Sequence, residues 1–222
     1  MDLTLSSATL PSESVAALRH GARRRELKGL EWVESPSDGA LPRGPDQATL
    51  GKGTPPVRWV LLNGEHALTD VLYWSRRAHL LGAGLLLREA VVESSLCVPL
   101  ATVHGTDVEG AQRAAAWARL HEAQTCWEIR LDAIDRDAIE AVLSVTAPTL
   151  GHVRLLGAGP EEGEGNGRSV TGWLFKELAL RGYDGTIALA PSGAGRRDEW
   201  RRWLFDERGW GCNTAAKKNA AR

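Results

Sequence analysis

The chain repeats one pattern along almost its whole length: an apolar strand-like run, a stretch with helical spacing, then another strand-like run. Strands separated by helices pair in parallel, because each helix carries the chain back to the end where the strand began. Strand-like runs fall at residues 3–7, 29–34, 57–62, 85–90, 99–104, 125–131, 151–156 and 186–189. Helical spacing follows Ser12, a candidate cap, through Val15, Leu18 and Ala22. It returns over 67–81, ended by Gly82 and Gly84, and over 108–124, 136–146, 169–180 and 198–207. Residues 35–56 are rich in Pro and Gly and read as a long loop where a second helix is otherwise expected. Eight strand–helix repeats favour an α/β fold of the (β/α)8 TIM-barrel type, compact and lacking its second helix. An open doubly wound sheet is the alternative. One domain over 1–214 and a frayed tail over 215–222 are expected.

Composition narrows the partners. The 222 residues carry a formal net charge of −1, without the basic excess of a nucleic-acid binder. No signal peptide is read at the start, and the apolar run near residues 80–87 is too short to span a membrane. Cys97, Cys126 and Cys212 are odd in number and form no CxxC pair, which fits a reducing cytoplasm rather than a disulfide framework. Trp200 and Trp203, one helical turn apart, are expected on the barrel wall or at a subunit contact of a homodimer. The basic runs Arg23-Arg24-Arg25 and Arg196-Arg197, with Arg201-Arg202, read as solvated helix faces. Gly157-Ala158-Gly159-Pro160 lacks the dinucleotide spacing, and no serine sits in a G-x-S-x-G setting.

Several stretches carry a family resemblance. Leu3-Thr4-Leu5-Ser6-Ser7-Ala8-Thr9-Leu10, a helix and Gly29-Leu30-Glu31-Trp32-Val33 form an opening unit. Gly163-Glu164-Gly165, a helix and Leu180-Arg181-Gly182-Tyr183-Asp184-Gly185 lead into the last strand. Both passages resemble the xylose isomerase-like family of sugar phosphate isomerases and epimerases, whose wider relatives include apurinic-site endonucleases. The resemblance implies a divalent metal held at the ends of the later strands by Glu, Asp, His and Glu. Here those places hold His104, Asp132 with Asp135 three residues on, Arg154 and Gly157 on the seventh strand, and Leu189-Ala190-Pro191. Arginine cannot ligate a cation and brings a positive charge of its own. The expectation is therefore no metal and no other cofactor. An endonuclease would need a metal cluster and a basic surface, and the sequence offers neither.

Strand side chains alternate between the barrel interior and the helix layer. On the sixth strand Trp127, Ile129 and Leu131 take the helix side, which turns Glu128, Arg130 and Asp132 inward. The same alternation turns Thr102 and His104 inward, and also His152 and Arg154. Glu31 matches the family's inward Glu. Either Arg88 or Glu89 faces in on the fourth strand. Buried charges are costly unless paired or used. They read either as an internal ion-pair network that sets strand register or as a working polar pocket.

In the second case His104, Asp132 and Glu31 are the candidate proton-transfer groups. Arg154 and Arg130 are candidate oxygen-holding groups, and Glu128, Glu89 and Arg88 are further substrate contacts. Asp107 either orients His104 or caps the next helix, and capping is favoured. The expected function is a metal-independent isomerase, epimerase or related lyase acting on a small polyhydroxylated or hydroxy-carbonyl compound, phosphorylated and carboxylated ones included. The lost metal residues favour a different reading: a non-catalytic relative that binds a similar ligand or a partner protein.

Overall fold

The computed structural model describes residues 1–11, 13–34, 50–51, 53–63, 68–87, 101–131, 135–157, 170–190 and 197–205. Eight strands alternate with helices: β1 Asp2–Ser6, α1 Val15–Arg24, β2 Gly29–Glu34, β3 Val57–Leu62, α2 Leu68–Leu81, β4 Gly84–Leu87 and β5 Ala101–His104. Then come α3 Val108–Leu120, β6 Thr125–Arg130, α4 Arg136–Thr146, β7 Leu150–Leu156, α5 Val170–Leu180, β8 Thr186–Ala190 and α6 Arg197–Phe205. All described pairings are parallel, in the order β4-β3-β2-β1-β8-β7-β6-β5. That is the strand order of a TIM-type barrel. Among the described residues no ladder joins β4 to β5, so the sheet is a curled, open half-barrel rather than the closed barrel expected. Most of the 35–56 stretch and the 215–222 tail lie outside the described residues, although Leu50 and Gly51 within that stretch are helical.

Local chemistry explains the element ends. Ser14, not Ser12, caps α1 by accepting from the Ala17 amide, and Ser12 lies outside the described residues. Asp135 caps α4 in the same way. Gly82 stops α2 with φ +63, a conformation that a side chain disfavours. Gly84 opens β4 instead of ending the helix, for a steric reason. A Cβ there would sit 1.8 Å from the Trp59 ring.

Between strands and helices lies a continuous apolar cluster that runs in sequence from Leu5 to Leu204 and includes Trp127, Val153, Leu155 and Leu189. Trp200 and Trp203 belong to it, edge-on at 5.4 Å, so they pack on the barrel wall. Part of the basic run departs from a solvated face: Arg24 Nη1 donates to the Phe205 carbonyl at 3.1 Å and Arg25 Nε to the Trp203 carbonyl at 2.6 Å, joining α1 to α6. A separate small cluster of Leu61, Leu86 and Cys126, flanked by Val33 and Trp59, occupies the concave side. Among the described residues, no helix is long and apolar enough to cross a membrane.

Two register shifts aim the interior. An extra residue between the partners of Leu30 and Glu31 puts Trp59 opposite Glu31. Another, at Gly151, puts His152 opposite Cys126. Bulges re-aim side chains in this way.

Candidate functional site

The concave face of the sheet holds a buried chain of charges. Glu31 on β2, Glu128 on β6, and His152 and Arg154 on β7 are all buried. Arg154 lies between the two carboxylates. Its Nε donates to Glu31 Oε2 at 2.7 Å and its Nη2 to Glu31 Oε1 at 3.1 Å. Its Nη1 donates to Glu128 Oε1. The Ser6 hydroxyl adds a bond to Glu31 Oε1 at 2.6 Å. His152 Nε2 lies 3.0 Å from Glu31 Oε2.

A carboxylate only accepts, so Nε2 of His152 carries the proton. Nδ1, 2.7 Å from Thr186 Oγ1, then accepts from that hydroxyl. Trp59 completes the floor, donating to Thr186 Oγ1 and stacking on His152 with ring centroids 4.9 Å apart.

These contacts set the protonation states. Burial pushes the Glu31 carboxyl up, but the Arg154 charge and the His152 bond outweigh it and hold the group well below its ordinary range. Burial pushes His152 down, partly offset by Glu31, so the ring stays neutral. Burial lowers Arg154, and the two carboxylates more than restore it, so the guanidinium remains charged. The interior therefore holds an ionised Glu31 against the charged Arg154 guanidinium, which also bonds Glu128.

His104 stands apart from this buried set. It ends β5 at the C-terminal edge of the sheet, and its Nδ1 lies 3.1 Å from Glu128 Oε2. The His104 side chain is 57% exposed and that of Glu128 only 1%. A buried carboxylate oxygen thus lies within ion-pair distance of one ring nitrogen while the imidazole faces solvent. Asp107 does not orient His104: its carboxylate accepts from the Gly110 amide at 2.9 Å and caps α3.

Of the residues singled out in the sequence, the structure joins Glu31, Glu128 and Arg154 by hydrogen bonds and places His104 within ion-pair distance of Glu128. Arg130 lies on the same face of β6 at its exposed end. Asp132, Arg88 and Glu89 lie outside the described residues. His152, Trp59, Thr186 and Ser6 were not singled out as site residues. For His152 the signal was present, since it precedes Arg154 by two positions on one strand and must share its face. Trp59 was not legible, because the register shift beside it breaks the alternation.

The divalent metal that the family resemblance implies does not fit these residues. Arg154 lies between the Glu31 and Glu128 carboxylates and engages both, where a cation would need their lone pairs. Among the described residues, no group of three or more His, Cys, Asp or Glu is placed to hold an ion.

No protein-family model and no curated protein match the chain. Solved structures do. An uncharacterised protein from Parabacteroides distasonis superposes with a TM-score of 0.50 at 10% identity, covering 91% of this chain and 96% of that one. This likeness shows the fold alone. Weaker likenesses are to Streptococcus suis SuiB bound to S-adenosylmethionine and to D-psicose 3-epimerase from Clostridium cellulolyticum with D-tagatose. SuiB gives a TM-score of 0.45 at 9% identity, over 78% of this chain and 50% of that one. The epimerase gives 0.40 at 16%, over 91% and 80%.

Proposed function

We propose that the chain is a metal-independent isomerase or epimerase that moves a proton on a small hydroxy-carbonyl compound at the C-terminal edge of its sheet. The observation that carries this reading is the His104–Glu128 pair. A carboxylate within ion-pair distance of one nitrogen of an imidazole favours the proton on that nitrogen and leaves the other to act as a base.

His104 Nε2 takes the proton from the carbon beside the carbonyl, and the bonding pair moves to the carbonyl oxygen. Glu128, bonded to Arg154 through its other oxygen, then lies beside the imidazolium and stabilises it. Arg130, two residues beyond Glu128 on the same face, offers positive charge to the oxygen. Passage of the adjacent hydroxyl proton to the former carbonyl oxygen, with return of the carbon-bound proton to the former carbonyl carbon, gives the isomer, and return to the opposite face of the same carbon gives the epimer. Glu31 has both oxygens engaged within the protein, so it positions Arg154 and is not itself the base. That saturation favours a second reading, a ligand-binding relative without turnover.

The test is solvent deuterium entry into a panel of hydroxy-aldehydes and hydroxy-ketones, followed by NMR with EDTA present. Exchange is expected in the native chain and about 100-fold slower or worse in His104→Asn. Exchange that survives in His104→Asn, or that requires added metal, overturns the reading. Binding without exchange supports the second reading.

A further inference from the structure

Four helices of the fold end in the same way. A left-handed residue follows each of α1, α2, α3 and α5: Glu26 at φ 58, Gly82 at 63, Glu122 at 51 and Gly182 at 72. The next amide then donates back to the carbonyl five residues earlier: Leu27 to Ala22, Ala83 to Ala78, Ala123 to Ala118 and Tyr183 to Leu178, at 2.7–3.0 Å. This closure gives the last helical residues one shared geometry. Two residues before the left-handed one stand Arg24, Leu80, Leu120 and Leu180. Leu80, Leu120 and Leu180 are 64%, 79% and 69% exposed, the most exposed large apolar side chains among the described residues.

All four positions lie at one end of the molecule. Leu80 precedes β4, Arg24 β2, Leu180 β8 and Leu120 β6, so they fall at every second strand along the sheet. They mark the end where the strands start, opposite the edge that carries His104. We propose that this end is a docking face for an anionic membrane surface, with the three leucines entering the headgroup boundary and the basic residues beside them meeting the lipid phosphates and carboxylates. Such surface contact needs no spanning helix, and it leaves the edge with His104 turned to water. It is independent of the proton-transfer chemistry.

Spacing favours a lipid surface over a protein. A protein contact needs a continuous apolar patch, whereas here helix ends and strand starts separate the leucines. A fluid bilayer takes each side chain separately and requires only that they stand at one level, which the shared helix ending provides. Charge favours an anionic surface. Residues 23–28 read Arg-Arg-Arg-Glu-Leu-Lys, with Arg23, Arg24 and Lys28 exposed. Arg24 and Arg119 donate to the Phe205 and Val145 carbonyls, neutral acceptors that leave the cationic charge in place. Arg181, beside Leu180, is matched by Glu177, so the cationic weight falls at the end of α1. Two copies joined through this end would bring those cations together, which disfavours a second copy as the occupant.

The experiment is flotation of the full chain with vesicles of phosphatidylcholine alone and of phosphatidylcholine with about 30% phosphatidylserine. The chain is expected to float with the anionic vesicles and to bind the neutral ones at least about tenfold more weakly. Binding should fall as ionic strength rises from about 0.1 M to about 1 M. Leu120→Ser with Leu180→Ser should weaken it about tenfold, and Arg23→Glu with Lys28→Glu by at least as much. All four side chains are exposed, so neither pair of changes touches the core. His104→Asn should bind as the native chain does. No binding to the anionic vesicles, equal binding to the neutral ones, or binding that the leucine pair does not change would each overturn the proposal. Self-association in sedimentation that the leucine changes abolish, without vesicle binding, would overturn it in favour of a second copy.

Discussion

Leu155 and Arg154 are neighbours on β7, yet they face different worlds. Leu155, with Val153, packs into the apolar layer against the helices. Arg154, with His152, enters a concave face where it pairs with Glu31 and Glu128. The outer layer gains from every apolar atom removed from water and is tolerant of which atoms they are. The inner face gains only when each partner is present, since an unmatched buried charge costs more than a matched pair returns. One side of the sheet therefore stabilises the fold, and the other restricts it to a single arrangement.

The largest effect should come from breaking the inner side. Arg154→Met leaves Glu31 and Glu128 buried without their cation and should cost about 3–5 kcal/mol. Leu155→Ala, its outward neighbour, should cost about 2–5 kcal/mol through the cavity it leaves. Magnitude alone does not separate them, but pH does. In Arg154→Met the carboxylates lose the charge that keeps them ionised, so acid relieves the defect. The Leu155→Ala deficit should stay constant with pH. Urea unfolding of both variants at pH 5 and pH 8 decides it. Equal pH dependence in the two would mean that Arg154 acts by packing alone.

A second effect appears in the native chain. His152 is buried neutral, with its pKa below the ordinary 6.5. Below pH 6.5 the unfolded chain takes up a proton that the folded chain refuses. Stability should therefore fall on acidification from that point, by at most about 1.4 kcal/mol per pH unit. Glu31 is depressed from 4.5, so a further loss begins below pH 4.5, where the unfolded carboxyl protonates first. His152→Gln keeps a donor toward Glu31 and should remove the upper limb only. A stability curve that is flat from pH 7 to pH 5 in the native chain would rule out a neutral His152.

The same contrast explains what was legible in the sequence. The outer layer speaks in periodicity: Trp127 and Ile129 alternate with polar neighbours, and this placed them correctly against the helices. Short local signals also held, as with Asp107 and the start of α3. The inner face was legible where alternation is unbroken, at Glu128 and at the pair His152 and Arg154. It failed at Trp59, where one extra residue shifts the register, and at Gly84, whose meaning depends on a ring from another strand. Closure of the barrel was not legible either, because strand count does not say whether the last two edges meet. Nor did residue type show that both Glu31 oxygens are engaged, since its partners come from two other strands, Ser6 from β1 and His152 and Arg154 from β7.

The smallest effect tests where the inner side ends. Asp107 lies three residues beyond His104, close enough in sequence to pass for its orienting carboxylate. Its bond to the Gly110 amide assigns it to α3 instead. Gly110 belongs to the same arrangement, since a Cβ there would lie 2.2 Å from the Asp107 carboxylate. Asp107→Ala should lower stability by about 1 kcal/mol, the ordinary worth of a cap, as read by thermal or urea unfolding. It should leave deuterium exchange and its pH profile unchanged, because Glu128 and not Asp107 is the carboxylate beside the imidazole. A shifted profile with unchanged stability would move Asp107 to the inner side and break the division between the two faces at the position where His104 meets solvent.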